Sequence, residues 1–172
     1  MNSHPNKLKH KRMKKEKISV EFQSFDSFNE LNSKEQLLIE KALEATEKAY
    51  APYSEFYVGA ALLLKNGEII VGTNQENEAY PSGLCAERVA LYYAGSAFPE
   101  EEILALAVIA KSEKTPLKEP VSPCGACRQV MHESQLRQKN SFKIIMAHEN
   151  GSGLIFDSIY QLLPLSFHFN KE

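Results

Sequence analysis

The apolar positions of this chain change period several times, and each change marks an element. Leu38, Ala42, Ala45 and Ala49 recur at helical spacing, with Leu37 and Leu43 widening the stripe, which predicts an amphipathic helix. Ser33 followed by Gln36 reads as its capping box, and Pro52 is expected to stop it near Tyr50. Phe56 to Leu64 is rich in apolar residues and reads as a strand. Lys65-Asn66-Gly67 supplies a tight turn, so Glu68 to Thr73 is the return strand of a hairpin. A loop over residues 74–84 leads to a second helix that opens at Cys85 and carries Val89, Leu91, Tyr92 and Ala94. Ile103 to Ala110 is apolar without interruption, as in a strand deep inside a sheet. The loop 111–123 holds Pro116, Pro120 and Pro123; a third helix then runs from Cys124 to about Gln138. Phe142 to Ala147 and Leu154 to Phe156 read as further strands, separated by a turn at Asn150-Gly151-Ser152-Gly153. Asp157 is expected to cap a last short helix through Leu163, stopped by Pro164. Residues 18–32 are weakly patterned and read as an irregular arm. An opening hairpin followed by alternating helices and strands predicts the α/β class, with a mixed sheet of about five strands and helices on both faces.

Bulk properties narrow this picture only slightly. With 172 residues and 43% hydrophobic content the chain suits one domain with a real core. No apolar run is long enough to span a bilayer, so no membrane role is expected. Three cysteines are an odd number for a disulfide framework, and reduced thiols point to a cytoplasmic setting. The net charge of −2 hides an asymmetry. Residues 1–17 carry seven Lys or Arg and one Glu, a net of +6, while the remainder carries thirteen and twenty-one, a net of −8. The organisation read from this is a basic disordered tail over 1–17 and a single domain over 18–172. Such a tail could give nucleic acid a weak grip, although a solvated extension is the plainer reading.

The candidate chemistry lies in two short runs, Cys85-Ala86-Glu87-Arg88 and Pro123-Cys124-Gly125-Ala126-Cys127-Arg128. Cys124 and Cys127 are three apart and so lie about 60° apart around a helix, within reach of one ion. Cys85 comes from the other helix start. Three thiolates can hold a Zn²⁺ without closing its tetrahedral shell, and Glu87 supplies a carboxylate beside it. Three thiolates on Zn²⁺ leave a net charge of −1, which Arg88 and Arg128 are placed to compensate. The competing reading is a closed structural site with a histidine as fourth ligand. His132 is turned about 140° from Cys127 around the helix, whereas His148 could be delivered by folding. Inert core cysteines are the third reading.

These residues resemble the signature of zinc-dependent base deaminases. Within that group the chain resembles cytidine deaminases of the small, all-cysteine, homotetrameric type, over about residues 34–167. The likeness is carried by Tyr50-Ala51-Pro52-Tyr53-Ser54-Glu55-Phe56-Tyr57-Val58-Gly59-Ala60-Ala61-Leu62, by Gly72-Thr73-Asn74-Gln75-Glu76-Asn77, by Tyr80-Pro81, by the two cysteine runs, and by Leu162-Leu163-Pro164-Leu165-Ser166-Phe167. The resemblance implies a three-layer αβα fold. It implies one Zn²⁺ per subunit on Cys85, Cys124 and Cys127, with Glu87 as proton shuttle. Asn74 and Glu76 would bind the ribose, and Phe56 would lie against the pyrimidine. The Ala86 N–H would meet the 2-oxo group, and the Ser122 carbonyl would accept from the departing amine. Tyr80 and Phe167 would reach a neighbouring subunit's site. The implied activity is deamination of cytidine and deoxycytidine in pyrimidine salvage, with free pyrimidine nucleosides as substrates and a cytoplasmic homotetramer as the assembly. A relative acting on a modified cytosine nucleoside is the nearest alternative; a zinc-stabilised nucleic-acid-binding module is the alternative of another kind. One departure is Glu78, where the family usually carries a small residue.

Overall fold

The computed structural model describes residues 13–169. Nine regular elements follow in order: β1 (Gln23–Phe25), α1 (Ser33–Thr46), β2 (Phe56–Leu64), β3 (Ile69–Thr73), α2 (Ala86–Ala97), β4 (Ile103–Ser112), α3 (Gly125–Leu136), β5 (Lys143–Ala147) and β6 (Gly153–Phe156). The strands form one mixed sheet in the order β1-β6-β5-β4-β2-β3. Only β4 and β5 run parallel. Helix α1 covers one face through Leu38, Ile39 and Ala42. Helices α2 and α3 cover the other through Ala90, Leu91, Ala94, Cys127 and Met131. The layers are therefore αβα, with six strands where about five were expected.

The sixth strand comes from the arm. Gln23 to Phe25 pair antiparallel with β6, opposite Ile155 to Gly153. Phe22 stacks on Phe156 with ring centroids 5.2 Å apart, and Phe25 is buried. Phe22 and Phe25, three residues apart, thus pack on opposite faces of an edge strand only three residues long, too short to stand out from sequence. Of the basic segment, residues 1–12 lie outside the described residues; Met13 to Lys17 are exposed and carry no regular structure.

Three boundaries differ from the sequence reading, each for a local reason. Asn32, not Ser33, caps α1: its Oδ1 accepts from the Lys34 and Glu35 N–H groups, and Glu35 accepts in return from the Asn32 N–H. Gln36 instead donates to the Leu31 carbonyl. The helix ends at Thr46, because the Tyr50 N–H goes to the Asn74 carbonyl rather than back into the helix. The final helix is a 3-10 turn, Ile159–Gln161, capped by Ser158 and not by Asp157.

Close approach of α2 to the sheet depends on Gly72 in β3. A Cβ there would lie 2.3 Å from the Ala86 carbonyl oxygen and 2.7 Å from the Ala90 nitrogen, both backbone atoms that cannot swing aside. Gly72→Ala must therefore push the start of α2 outward. The expected cost is about 2–3 kcal/mol of stability, the upper part of the range for overpacking a dense core. Denaturant unfolding of the two proteins checks it, and an unchanged midpoint would show that α2 yields freely.

Candidate active site

Both cysteine runs sit at helix starts, as their spacing predicted. Cys85 is the N-cap of α2 and Cys124 the N-cap of α3, each with extended backbone and neither side chain used for capping. The unpaired N–H groups and the positive dipole ends of both helices therefore face thiols, which favours their anions. Cys127 lies in the first turn of α3 and is fully buried; Cys85 is half-buried and Cys124 exposed.

The three sulfurs converge. Cys85 Sγ is 3.9 Å from Cys124 Sγ, and Cys124 Sγ is 3.4 Å from Cys127 Sγ. All three lie within 4.8 Å of one another. A tetrahedral zinc with sulfurs at about 2.3 Å separates them by about 3.8 Å. The donor set thus fits a Zn²⁺ with little movement. No histidine joins it among the described residues. The His132 Nε2 pairs with Ser166 Oγ at 2.8 Å, while His148 Nε2 meets the Leu117 carbonyl and its Nδ1 accepts from the Asn150 N–H. The closed site with a fourth protein ligand therefore lacks its histidine.

Charge is distributed unequally over the thiols. Hydrogen bonding from Cys127, then from Arg88 and Cys124, brings the Cys85 thiol down to about 5. Cys127 is pushed up, first by the proton it shares with Cys85 and then by burial. The Arg88 Nη2 stands 3.8 Å from Cys85 Sγ. Arg128 does something else: it donates to the Pro123 carbonyl at 2.8 Å, to the Leu162 carbonyl at 2.9 Å and to Ser122 Oγ at 2.6 Å. These bonds tie the loop before α3 to the C-terminal segment, and none goes to a sulfur. Glu87, one residue into α2, is only 4% exposed, and burial raises its carboxyl above the ordinary range. A carboxyl held in that environment is suited to both accept and return a proton.

A second group gathers where β2 begins and β3 ends. Asn74 Nδ2 donates to the Phe56 carbonyl at 2.8 Å, and its Oδ1 accepts from the Val58 N–H at 2.7 Å. One N–H and one lone pair of this amide remain for a ligand. Glu76 Oε2 accepts from the Tyr53 N–H at 2.9 Å and the Ser54 N–H at 3.3 Å. Hydrogen bonding by Ser54 above all, then these backbone groups and the Lys114 charge, hold the Glu76 carboxyl below its usual range. Paired bonds between Gln75 and Leu84 fasten this segment to the residue before Cys85. Phe56, Asn74 and Glu76 are thereby joined to the cysteine site through one short piece of chain. Ala86 is the first residue of α2 and buried, so its N–H belongs to the unpaired helix end. Tyr80 packs edge-on against Tyr53 with centroids 6.3 Å apart and is 77% exposed. Phe167 is 76% exposed, with its carbonyl held by Gln129 Nε2. Glu78 is exposed.

Residues 53–55 belong to the segment that carries the resemblance but were given no role there, and 113–114 were not singled out; together they buttress this group. Lys114 Nζ donates to the Tyr53 carbonyl at 3.0 Å and lies 3.2 Å from Glu55 Oε1. The contact between these two loops depends on β2 and β4 being neighbours, which no local pattern encodes.

Comparison with known proteins agrees with this geometry. Residues 32–142 match the family model described as the cytidine and deoxycytidylate deaminase zinc-binding region. The chain belongs to that deaminase family. Among its relatives, a cytidine deaminase of Halalkalibacterium halodurans is 52% identical over 98 residues, covering 57% of this chain and 70% of that one. The cytidine deaminase from Burkholderia pseudomallei, solved as a crystal structure, is 42% identical with a TM-score of 0.67, covering 76% of this chain and 97% of its own. That from Mycobacterium tuberculosis is 31% identical with a TM-score of 0.59, covering 80% and 100%. The matched family region begins at Asn32, so β1 and the arm before it lie outside it. Among the described residues no helix is long and apolar enough to cross a membrane.

Proposed function

We propose that this deaminase-family protein releases ammonia from cytidine and deoxycytidine, giving uridine and deoxyuridine, as a step of pyrimidine salvage in the cytoplasm. The observation that carries this is a buried carboxylate, Glu87, beside three converging thiols at two helix starts. Cys85, Cys124 and Cys127 would hold one Zn²⁺ per chain. When bound, such an ion lowers the pKa of a coordinated water toward about 7 and so supplies a nucleophile at neutral pH. Glu87 takes a proton from the attacking water and returns it to N3 of the pyrimidine as C4 is attacked. It then carries a second proton to the amino group, which departs as ammonia. Arg88 offsets the surplus negative charge of the three sulfurs. Phe56 lies against the base and the Ala86 N–H meets its 2-oxo group. The Ser122 carbonyl accepts from the departing amine, while Asn74 and Glu76 grip the ribose.

Tyr80 and Phe167 are large, exposed aromatics in a single chain. Their exposure supports a homotetramer in which each reaches a neighbour's site. The domain is taken to run over 18–172, with 1–17 as a separate basic tail.

The test follows absorbance and ammonia with cytidine, deoxycytidine, cytidine monophosphate and adenosine as substrates. Turnover of the two free cytosine nucleosides is the expected result. Preference for the monophosphate would redirect the assignment toward nucleotides, and inertness toward all four would remove it.

A further inference from the structure

Residue Glu55 has φ of 53°, and it is the one residue other than glycine with positive φ among the described residues. An L side chain in the left-handed region is strained, and the conformation persists only where its surroundings over-determine it. Here they do. The Glu55 N–H donates to the Ala51 carbonyl at 3.0 Å, and the Glu55 carbonyl accepts from the Glu113 N–H at 3.2 Å. The Glu55 carboxylate pairs with Lys114 at 3.2 Å, and the same ammonium holds the Tyr53 carbonyl at 3.0 Å. Glu113 and Lys114 stand just past the end of β4. Because Phe56 at the start of β2 lies opposite Ser112 at the end of β4, the loop leaving β4 meets the loop entering β2. Thr115 turns that loop back by donating its N–H to Ser112 Oγ.

The strained residue sits between two groups given binding roles above. Phe56 follows it directly. The Tyr53 and Ser54 N–H groups, just before it, hold one oxygen of Glu76. Letting Glu55 relax would turn the chain at the residue that aims Phe56, and would carry away the two N–H groups that orient Glu76.

We propose that Lys114 and Glu55 form a positioning pair, which locks the 53–56 turn so that Phe56 and Glu76 are preset for the base and ribose of a free nucleoside. The pair touches neither substrate nor the reacting atoms, so it sets affinity rather than the chemical step. This inference rests on the nucleoside-deaminase reading and deepens it.

Lys114→Met, Lys114→Arg and Glu55→Gly separate the possibilities. Both side chains are partly exposed, 52% for Lys114 and 40% for Glu55, so the loss of their ion pair leaves the core intact. Lys114→Met is expected to raise KM for cytidine about fivefold, the scale of a favourable exposed ion pair, with kcat within about twofold. Calorimetric binding of the product uridine should weaken by the same factor. Lys114→Arg should restore both values. Glu55→Gly removes the backbone strain and the carboxylate together, so its melting temperature should hold or rise while KM still increases. Unchanged KM and uridine affinity in Lys114→Met would overturn the pair's role while leaving the deaminase reading intact. A lower melting temperature with unaltered KM would show a merely structural bond and overturn it equally. A wild-type protein inert toward cytidine would overturn both.

Discussion

Replacing Glu87 with alanine is expected to abolish turnover while leaving the zinc in place. The side chain is buried two residues past Cys85, and the cluster itself is made of three cysteines among the described residues. Without it, no group there can move a proton between water, ring nitrogen and leaving amine. General acid–base groups commonly contribute 10²–10⁴-fold, and Glu87 is asked to act at both transfers; a loss of about a thousandfold or more in kcat is expected. Metal analysis of the purified variant should still find zinc, since the three sulfurs are untouched. A variant that keeps a tenth of the wild-type rate would rule the shuttle role out. Glu87→Gln, which preserves shape but cannot ionise, should be as inactive as the alanine form.

Removing a sulfur should act differently. Cys124 is the exposed member of the trio, so Cys124→Ala leaves no core cavity and isolates the ligand effect. Loss of a partner behind a metal ligand already costs 10–100-fold in affinity, so loss of a ligand itself should cost more than about a hundredfold. Zinc content at fixed free metal and turnover should fall together. The wild-type protein should melt higher with zinc than after chelation, because a ligand that binds only the folded state stabilises it. In Cys124→Ala that gap should close while the metal-free melting temperatures stay alike. Zinc retention at wild-type affinity would mean that the ion is held elsewhere.

The convergence of the three cysteines was legible in this sequence, because it depends on local rules. Cys85 and Cys124 stand at helix starts where their flanking patterns indicate, and a separation of three residues is enough to align Cys127 with Cys124. The hairpin at Asn66-Gly67, with Gly67 at φ 93°, and the apolar strand β4 were equally plain. What escaped was set by pairing between distant segments. The arm became a strand only because β6 left an edge free for it. Arg128 found oxygens at Ser122, Pro123 and Leu162 rather than sulfurs, since the C-terminal segment passes its guanidinium. Lys114 reads as an ordinary loop lysine until β2 and β4 lie side by side.

The strand Gln23–Phe25 has a consequence for biosynthesis. Its partner, Gly153–Phe156, leaves the ribosome after every other strand of the sheet. Until then the first strand waits with Phe25 uncovered, and the sheet cannot seal that flank before its last strand has emerged. A nascent chain halted between α3 and β6 should bind chaperones through this segment and release them as Ile155 becomes available opposite Gln23.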